Sequence, residues 1–451
     1  MIGSQDVLQN LAHLLGPRYV DDDADLLAGR SVDYTGRYRG KAGALVRPGS
    51  AEEVAGVLRL CRDAGANVTI QGGRTSLVAG AVPHHDDVLI STERLSAIGE
   101  VDIVERRVRV GAGATLAAVQ RTAAAAGLIF GVDLTARQTA TVGGMASTNA
   151  GGLYTVGYGN MGEQVLGLQV ALPDGTLLQR YSSVYTDNTG YNLPALFIGA
   201  EGTLGVITEL ELALQPIPAH RVTAVCGFAD LADLVEAARS FRDADGIAAL
   251  ELIDARAMAL TSQHVAVSAP VAGDWLLLVE LTGDTDPAGR LAARLNRLRN
   301  CGEPAVGVDA ATRQRLWRAR EAVAEVLNVY GPPVKFDVSL PLAAVPEFAV
   351  ASRTLVARYA PNAVPVIFGH IGEGNLHLNV LGCSTHAEPE LFSAIMELIG
   401  RCGGNVSSEH GVGTLKRAYL SMARGPDDIA AMRRIKTAFD PLGYLNAAVL
   451  L

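Results

Sequence analysis

Gly369-His370-Ile371-Gly372-Glu373-Gly374-Asn375-Leu376-His377-Leu378-Asn379 is the stretch on which the reading of this chain turns. Over residues 375–380 polar and apolar side chains alternate, which is the period of a strand. Asn375, His377 and Asn379 therefore share one face, and Leu376, Leu378 and Val380 take the other, the expected core face. His370 sits on the glycine-rich turn just upstream and is expected to fold back towards His377. A second run, Ser408-Glu409-His410-Gly411-Val412-Gly413-Thr414-Leu415-Lys416, adds a carboxylate and a further imidazole. Two imidazoles and a carboxylate form an N/O donor set suited to a divalent metal such as zinc. A hydroxyl polarised by such an ion, beside a histidine able to take its proton, is a site for oxidising an alcohol. A single strand histidine is more often an ordinary surface or core residue. Three polar residues on one strand face, flanked by glycines, favour the site.

Composition narrows the alternatives. The 451 residues exceed what one core holds, so two or three domains are expected. With 38 basic against 47 acidic residues the net charge is −9, which argues against nucleic acid and against an anionic membrane surface as partners. No apolar run reaches transmembrane length, and the first ten residues lack the basic-then-apolar pattern of a signal peptide. Five scattered cysteines without a CxxC pair fit a reducing, cytoplasmic setting and exclude a cysteine-based zinc ribbon.

Upstream of the histidine strand, residues 1–40 read as a short helical lead and an irregular segment. Residues 44–46 are a strand. Ser50 and Glu53 have the spacing of a capping box, before a helix whose Val54, Val57, Leu58 and Cys61 share a face and which Gly65 stops. The strand 68–70 runs into Gln71-Gly72-Gly73-Arg74-Thr75-Ser76-Leu77-Val78-Ala79-Gly80. Successive amides and small hydroxyls there make a candidate diphosphate cradle. No GK[ST] follows, so it is not a P-loop. Residues 101–110 alternate as a strand. Gly111-Ala112-Gly113 then lacks the third glycine of a dinucleotide fingerprint, and Thr115 caps a helix instead. Residues 139–152 read as a loop of small residues against which a planar ligand can lie, and equally as a close-packed turn. Residues 166–180 form a hairpin about Pro173-Asp174-Gly175. Pro216 and Pro218 mark a boundary. Beyond it, alternating strands and helices predict an α+β domain, an antiparallel sheet with helices on one side. A helix over 313–329 carries Trp317, Arg318 and Arg320. In the strand 334–338, Lys335 and Asp337 face one way.

Five motifs in this order, Asp187-Asn188-Thr189-Gly190-Tyr191, Glu201-Gly202-Thr203-Leu204-Gly205, the two runs quoted above and Asp440-Pro441-Leu442-Gly443-Tyr444-Leu445-Asn446, carry a resemblance. From about residue 42 to 446 the chain resembles the FAD-dependent D-2-hydroxyacid dehydrogenases of the vanillyl-alcohol oxidase / p-cresol methylhydroxylase flavoproteins. That resemblance implies an α+β, two-domain FAD-binding fold. Residues 1–218 would form an FAD-binding domain of two α+β subdomains and 219–410 a substrate domain with an antiparallel sheet. Residues 411–451 would be a helical segment returning to the flavin. Gly72, Gly73, Thr75 and Ser76 would hold the FAD diphosphate, with Arg74 and Leu77 in the same loop. Arg74 stands where many such flavoproteins have the histidine bonded to FAD, which implies a non-covalent flavin. Thr141, Gly143, Gly144, Thr148, Asn149 and Gly152 would line the ring and ribityl side, with Ile207 further along and Asn446 approaching from the C-terminus.

In the same resemblance His370, His377 and Glu409 match zinc ligands. Asn379 and His410 match substrate contacts, and His410 the base. Arg320 and Lys335 match cations that hold the substrate carboxylate. Ala324, one turn after Arg320, stands where hydroxyglutarate-oxidising members carry a hydroxyl residue. Glu373 replaces a usual Asp and Ala447 a usual Pro. The implied reaction is metal-assisted oxidation of a D-2-hydroxyacid to the 2-oxoacid. D-2-hydroxyglutarate is the favoured substrate, with D-lactate, D-malate or glycolate as alternatives. No heme or iron–sulfur pattern is present, so an external acceptor is expected, an electron-transfer flavoprotein or a quinone chain. A homodimer is compatible with the sequence. Two rivals are an oxidase of another alcohol or sugar with structural histidines, and a non-catalytic flavin subunit of a larger complex.

Overall fold

Three short apolar runs, Ala42–Val46, Asp87–Ser91 and Val68–Gln71, pair in parallel in that order, with Val20–Asp21 antiparallel at one edge. The chain is described by a computed structural model over residues 5–181, 184 and 187–451, so the first four residues of the helical lead lie outside the described residues. Helix Ala51–Asp63 turns Val54, Val57, Leu58 and Cys61 into the core beside this sheet. Ser50 Oγ accepts from Glu53 N as anticipated. The reciprocal arm of the box reaches one residue further back, with Glu53 Oε2 accepting from Gly49 N at 2.6 Å.

A second sheet is wholly antiparallel, in the order Arg107–Gly111, Val206–Ala213, Val165–Ala171, Leu177–Arg180. The strand expected over 101–110 is only its latter part. The chain reverses between Asp102 and Arg107, whose backbones exchange bonds of 2.9 and 3.1 Å, and Arg106 takes φ 50°. Ile103 and Val104 sit exposed on that turn, because Asp102 and Glu105 supplied turn chemistry that the apolar alternation masked. Residues 139–152 are likewise not all loop. Val142–Thr148 is a helix ended by Asn149 at φ 53°. A Cβ on Gly143 would stand 2.5 Å from that of Ala112, so the glycine serves close packing inside a helix.

These sheets belong to one unit, formed by residues up to 151, 159–216 and 409–451. The last segment rejoins the first sheet. Asn446 N donates to Val68 O at 2.8 Å, its Oδ1 accepts from Ile70 N at 3.0 Å, and its Nδ2 donates to Glu201 O at 2.7 Å. Lys436 Nζ donates to Thr203 O and Leu445 O, and pairs with Asp440.

The second unit comprises residues 152–158 and 217–408. Its antiparallel sheet has seven strands, in the order Ala305–Gly307, His220–Phe228, Trp275–Gly283, Ile247–Asp254, Val364–Gly369, Asn375–Leu381, Val334–Ser339. Helices cover both faces, not one. Ala255–Val265, a helix the sequence reading passed over, and Ala310–Val326 pack with Val225, Leu276 and Leu278. Helix Glu388–Arg401 meets the opposite face, where Phe336 and Phe392 lie 5.0 Å apart. The reason is legible in Leu276-Leu277-Leu278-Val279, which is apolar at every position and so needs cover on both sides. Among the described residues no helix is long and apolar enough to cross a membrane.

Replacing Asn446 by Ala would orphan Ile70 N–H and Glu201 C=O and leave a Cβ residue in the left-handed region. We expect a loss of about 2–4 kcal/mol in the unfolding of the first unit, read from the shift of its urea midpoint. An unmoved midpoint would contradict this.

Candidate active site

The register of the second unit's sheet fixes which side chains meet. Lys335 lies opposite Asn379, and Asp337 and Phe368 lie opposite His377. Residues opposite one another share a face, so Lys335, Asp337, His377 and Asn379 project together. Phe336, Leu376, Leu378 and Val380 fill the other face. His370 reaches this group through two glycines. A Cβ on Gly369 would stand 2.5 Å from Asn375 O, and one on Gly374 would stand 2.1 Å from Leu340 O. The tight turn between them sets His370 Nε2 3.4 Å from His377 Nε2, with the rings nearly perpendicular.

Each imidazole has a buried carboxylate on its Nδ1 side. Glu251, 0 % exposed, places Oε1 2.5 Å from His370 Nδ1 and accepts from Arg320 Nε through Oε2 at 2.6 Å. Asp337 Oδ1 lies 3.7 Å from His377 Nδ1, and its Oδ2 accepts from Ser408 N at 2.9 Å and from Ser407 Oγ at 3.4 Å. The Glu251 carboxylate against His370 Nδ1 puts the proton there and leaves His370 Nε2 with its lone pair, whereas Asp337 at 3.7 Å is too far to hydrogen-bond His377 Nδ1. The His370 lone pair points at His377 Nε2 and can take a proton from it or share an electrophile with it. Zinc–nitrogen bonds of about 2.0–2.1 Å at a tetrahedral angle separate two ligand nitrogens by about 3.3–3.4 Å. The pair therefore fits a shared divalent ion.

The two expected carboxylate binders differ. Arg320 is buried, with its Nε committed to Glu251 and its guanidinium 4.7 Å over the Phe368 ring. Lys335 makes no ion pair among the described residues, and burial pulls its ammonium below the usual lysine range. Asn379 Nδ2 donates to His377 O at 3.3 Å. Asn375, on the same face, has a buried Oδ1 without a partner. Ala324 lies half-buried one turn beyond Arg320.

In the first unit, the Gly72-Gly73 loop lies against residues 139–141. A Cβ on Gly73 would stand 1.9 Å from Thr139 O and one on Gly72 would stand 2.4 Å from Thr141 Oγ1, while Gly73 N donates to Thr141 Oγ1 at 3.3 Å. Two stretches far apart in sequence, both expected at the flavin, thus pack directly against one another, and glycine is what lets them approach. Gln71 Nε2 pins the loop to Arg30 O and Ala81 O, both at 2.8 Å. Arg74, at φ 54°, donates to Gly29 O, and Ser76 Oγ accepts from Val78 N and Gly80 N. Thr75 and Leu77 are half-buried beside them. Gly144 lies in the first turn of the helix Val142–Thr148, and Thr148 Oγ1 donates back to its carbonyl. Asn149 Oδ1 accepts from Gly162 N at 2.8 Å, and Ile207 is core. Gly152, at φ 138°, opens the short segment that belongs to the second unit. Asn446 spends its side chain on backbone partners. Glu409 and His410 lie in the first unit, with Glu409 Oε1 3.5 Å from His410 Nε2.

Sequence reasoning assigned no role to Glu251, Asp337 or Glu201. The signal for Glu251 is an acid inside the apolar strand Ile247–Asp254, where only a paired carboxylate is tolerated. That signal does not discriminate, because Glu280 has it too and is satisfied by Trp317 Nε1, Thr223 Oγ1 and Arg221.

Residues 42–180 match the FAD binding domain family, and residues 217–450 match the C-terminal domain of FAD linked oxidases. The chain is 35% identical over 454 residues to the mitochondrial D-2-hydroxyglutarate dehydrogenase of Bos taurus, covering 98% of this chain and 83% of that protein. It is 31% identical over 453 residues to D-2-hydroxyglutarate dehydrogenase of Stutzerimonas stutzeri, covering 98% and 97%. The solved structure of p-cresol methylhydroxylase with substrate bound superposes with TM-score 0.81 at 18% identity, covering 98% and 95%. A flavin-binding half, an oxidase C-terminal half and nearly full-length relatives lead to one conclusion: the chain belongs to the FAD-linked D-2-hydroxyacid dehydrogenases, flavoenzymes that act on a CH–OH donor on the vanillyl-alcohol oxidase / p-cresol methylhydroxylase fold.

Proposed function

We propose that this enzyme oxidises D-2-hydroxyglutarate to its 2-oxoacid at a site where His370, His377 and Glu409 hold a divalent metal, zinc by donor type. The observation that carries the reading is the Nε2-to-Nε2 approach of His370 and His377, with the buried Glu251 carboxylate against His370 Nδ1. Glu409 follows Ser408 directly in the chain, and the Ser408 amide is already tied to Asp337. The choice of substrate is supported by the relatives, which are D-2-hydroxyglutarate dehydrogenases.

When bound, FAD supplies the acceptor for the hydride leaving C2 and the metal supplies the charge that lowers the hydroxyl pKa. The chain's own residues do the rest. His410 takes the hydroxyl proton. Lys335, uncompensated by any carboxylate among the described residues, meets the α-carboxylate. Arg320 gives Nε to Glu251 and keeps its terminal nitrogens for the distal carboxylate. Asn379 adds an amide contact on the same face. Arg74 offers no nucleophile to the flavin, which is held non-covalently by the Gly72–Ser76 backbone. Electrons leave to an external acceptor, an electron-transfer flavoprotein or a quinone chain, and we propose the cytoplasm as the compartment.

A panel of D- and L-2-hydroxyacids with a dye acceptor, run before and after chelation and with zinc restored, tests this. D-2-hydroxyglutarate should have the highest kcat/KM, and chelation should abolish turnover reversibly. Full turnover after verified metal removal would sink the metal role, and equal rates with L-acids the substrate assignment. His410→Ala should lower kcat by about 10²–10⁴ with flavin retained; unchanged turnover removes His410 from the role. Glu251→Gln should weaken zinc binding by about 10–100-fold in a competitive chelator titration of the metal-free protein. Wild-type affinity there would leave Glu251 a packing residue.

A further inference from the structure

Resting on His410 as the base, we propose that Glu201 is a positioning residue that sets where His410 stands relative to the flavin loop. Both oxygens of its buried carboxylate are occupied by one turn: Val412 N donates to Oε1 at 2.7 Å and Gly413 N to Oε2 at 2.8 Å. Those amides lie two and three residues beyond His410. Gly411, between them and the histidine, has φ 83°, and a Cβ there would stand 3.0–3.1 Å from the same carboxylate. A side chain at Gly411 would press on the Glu201 carboxylate.

The opposite side of the turn rests on the flavin loop itself. A Cβ on Gly413 would stand 2.1 Å from Val78 O, and Thr414 N donates to that oxygen at 3.1 Å. Glu201 in turn is fixed at its backbone. It is held at φ 51°, a conformation a residue with a Cβ adopts only at a cost. Its N–H donates to Ser147 O at 2.7 Å, and its carbonyl accepts from Asn446 Nδ2, whose Oδ1 takes Ile70 N at the entrance to the same loop. A continuous run of direct bonds therefore leads from the strand that carries Gly72 and Gly73, through Asn446 and Glu201, to the turn behind His410. Strain held in place by this many bonds is the mark of a position that must not drift. A general base acts over a fraction of an ångström, and a misplacement of about 1 Å costs on the order of 10²-fold.

The test is Glu201→Gln, which keeps the shape but turns one acceptor into a donor facing an amide. Expected is a fall of about 10–100-fold in kcat per bound flavin, with KM within about 2-fold of wild type and the flavin spectrum intact. Because the effect runs through His410, adding Glu201→Gln to His410→Ala should change nothing further. Should Glu201→Gln lose its flavin, Gly411→Ala presses on the same carboxylate from the far side and should give the same kcat loss. Wild-type kcat per flavin, or an equal further loss in the His410→Ala background, would overturn the proposal. A silent His410→Ala would instead overturn the assignment of the base.

Discussion

Glu251 has no contact with water, and a buried carboxylate costs several kcal/mol unless its lone pairs are met. Arg320 and His370 meet them, and much of the second unit is arranged around that fact. The strand Ile247–Asp254 supplies the acid, the helix Ala310–Val326 the guanidinium, and the turn after Val364–Gly369 the imidazole. Three elements are drawn to a single point, and the tautomer of His370 follows from it. With the Nδ1 proton aimed at Glu251, Nε2 is left as an unshared pair facing His377 Nε2. Glu280, on the neighbouring strand and the same face, shows what the arrangement is not. Its partners are an indole, a hydroxyl and a guanidinium, none of which turns another reactive atom elsewhere. The chemistry of a buried acid is decided by what its partner can still do on its other side.

The first unit solves a different problem with the same means. Glycines and small residues come together at Gly72, Gly73 and Thr139–Thr141, where the two stretches pack too closely for a Cβ on either glycine. Bare backbone is also loose, and the structure removes that freedom with side chains that act as backbone partners. Gln71 ties the loop at both ends, and Asn446 and Glu201 tie the C-terminal segment to it. These residues stand at the edges of the glycine segments, where order has to be imposed from outside.

Much of this was legible in the sequence. The alternation around His377 and the glycines beside His370 give the polar face and the return of the turn. Helix Leu231–Arg242 follows directly from its apolar spacing. What failed did so for stated reasons. Residues 101–110 alternate like a strand, but Asp102 and Glu105 favour a turn, and a local hydrogen bond beats a periodicity that nothing pins. The helix Val142–Thr148 is hidden by its own glycines, which are poor helix formers retained for close packing. Glu251, Glu201 and Asp337 escaped because their partners are 69 to 212 residues away in the chain. Spacing rules read neighbours on one element, and these bonds join different ones.

The contrast between Arg320 and Lys335 bears on how the substrate is chosen. A guanidinium can satisfy Glu251 through Nε and still present two further nitrogens in a fixed plane, so in the proposed reaction one residue would both hold Glu251 and grip an anion. An ammonium on a flexible stem offers no such fixed fork, which makes Arg320→Lys a non-conservative change here. Lys335 carries the complementary load. It is a point charge left uncompensated on a face shared with His377 and Asn379, held there at the expense of its own desolvation. In the proposed reaction two cations of different reach, one paired with Glu251 and one not, would discriminate between substrates with one carboxylate and with two. Lys335 alone would serve the first, whereas the second would also reward the guanidinium. In the proposed reaction the preference for a dicarboxylate therefore rests on Arg320 staying oriented, and that orientation rests on Glu251.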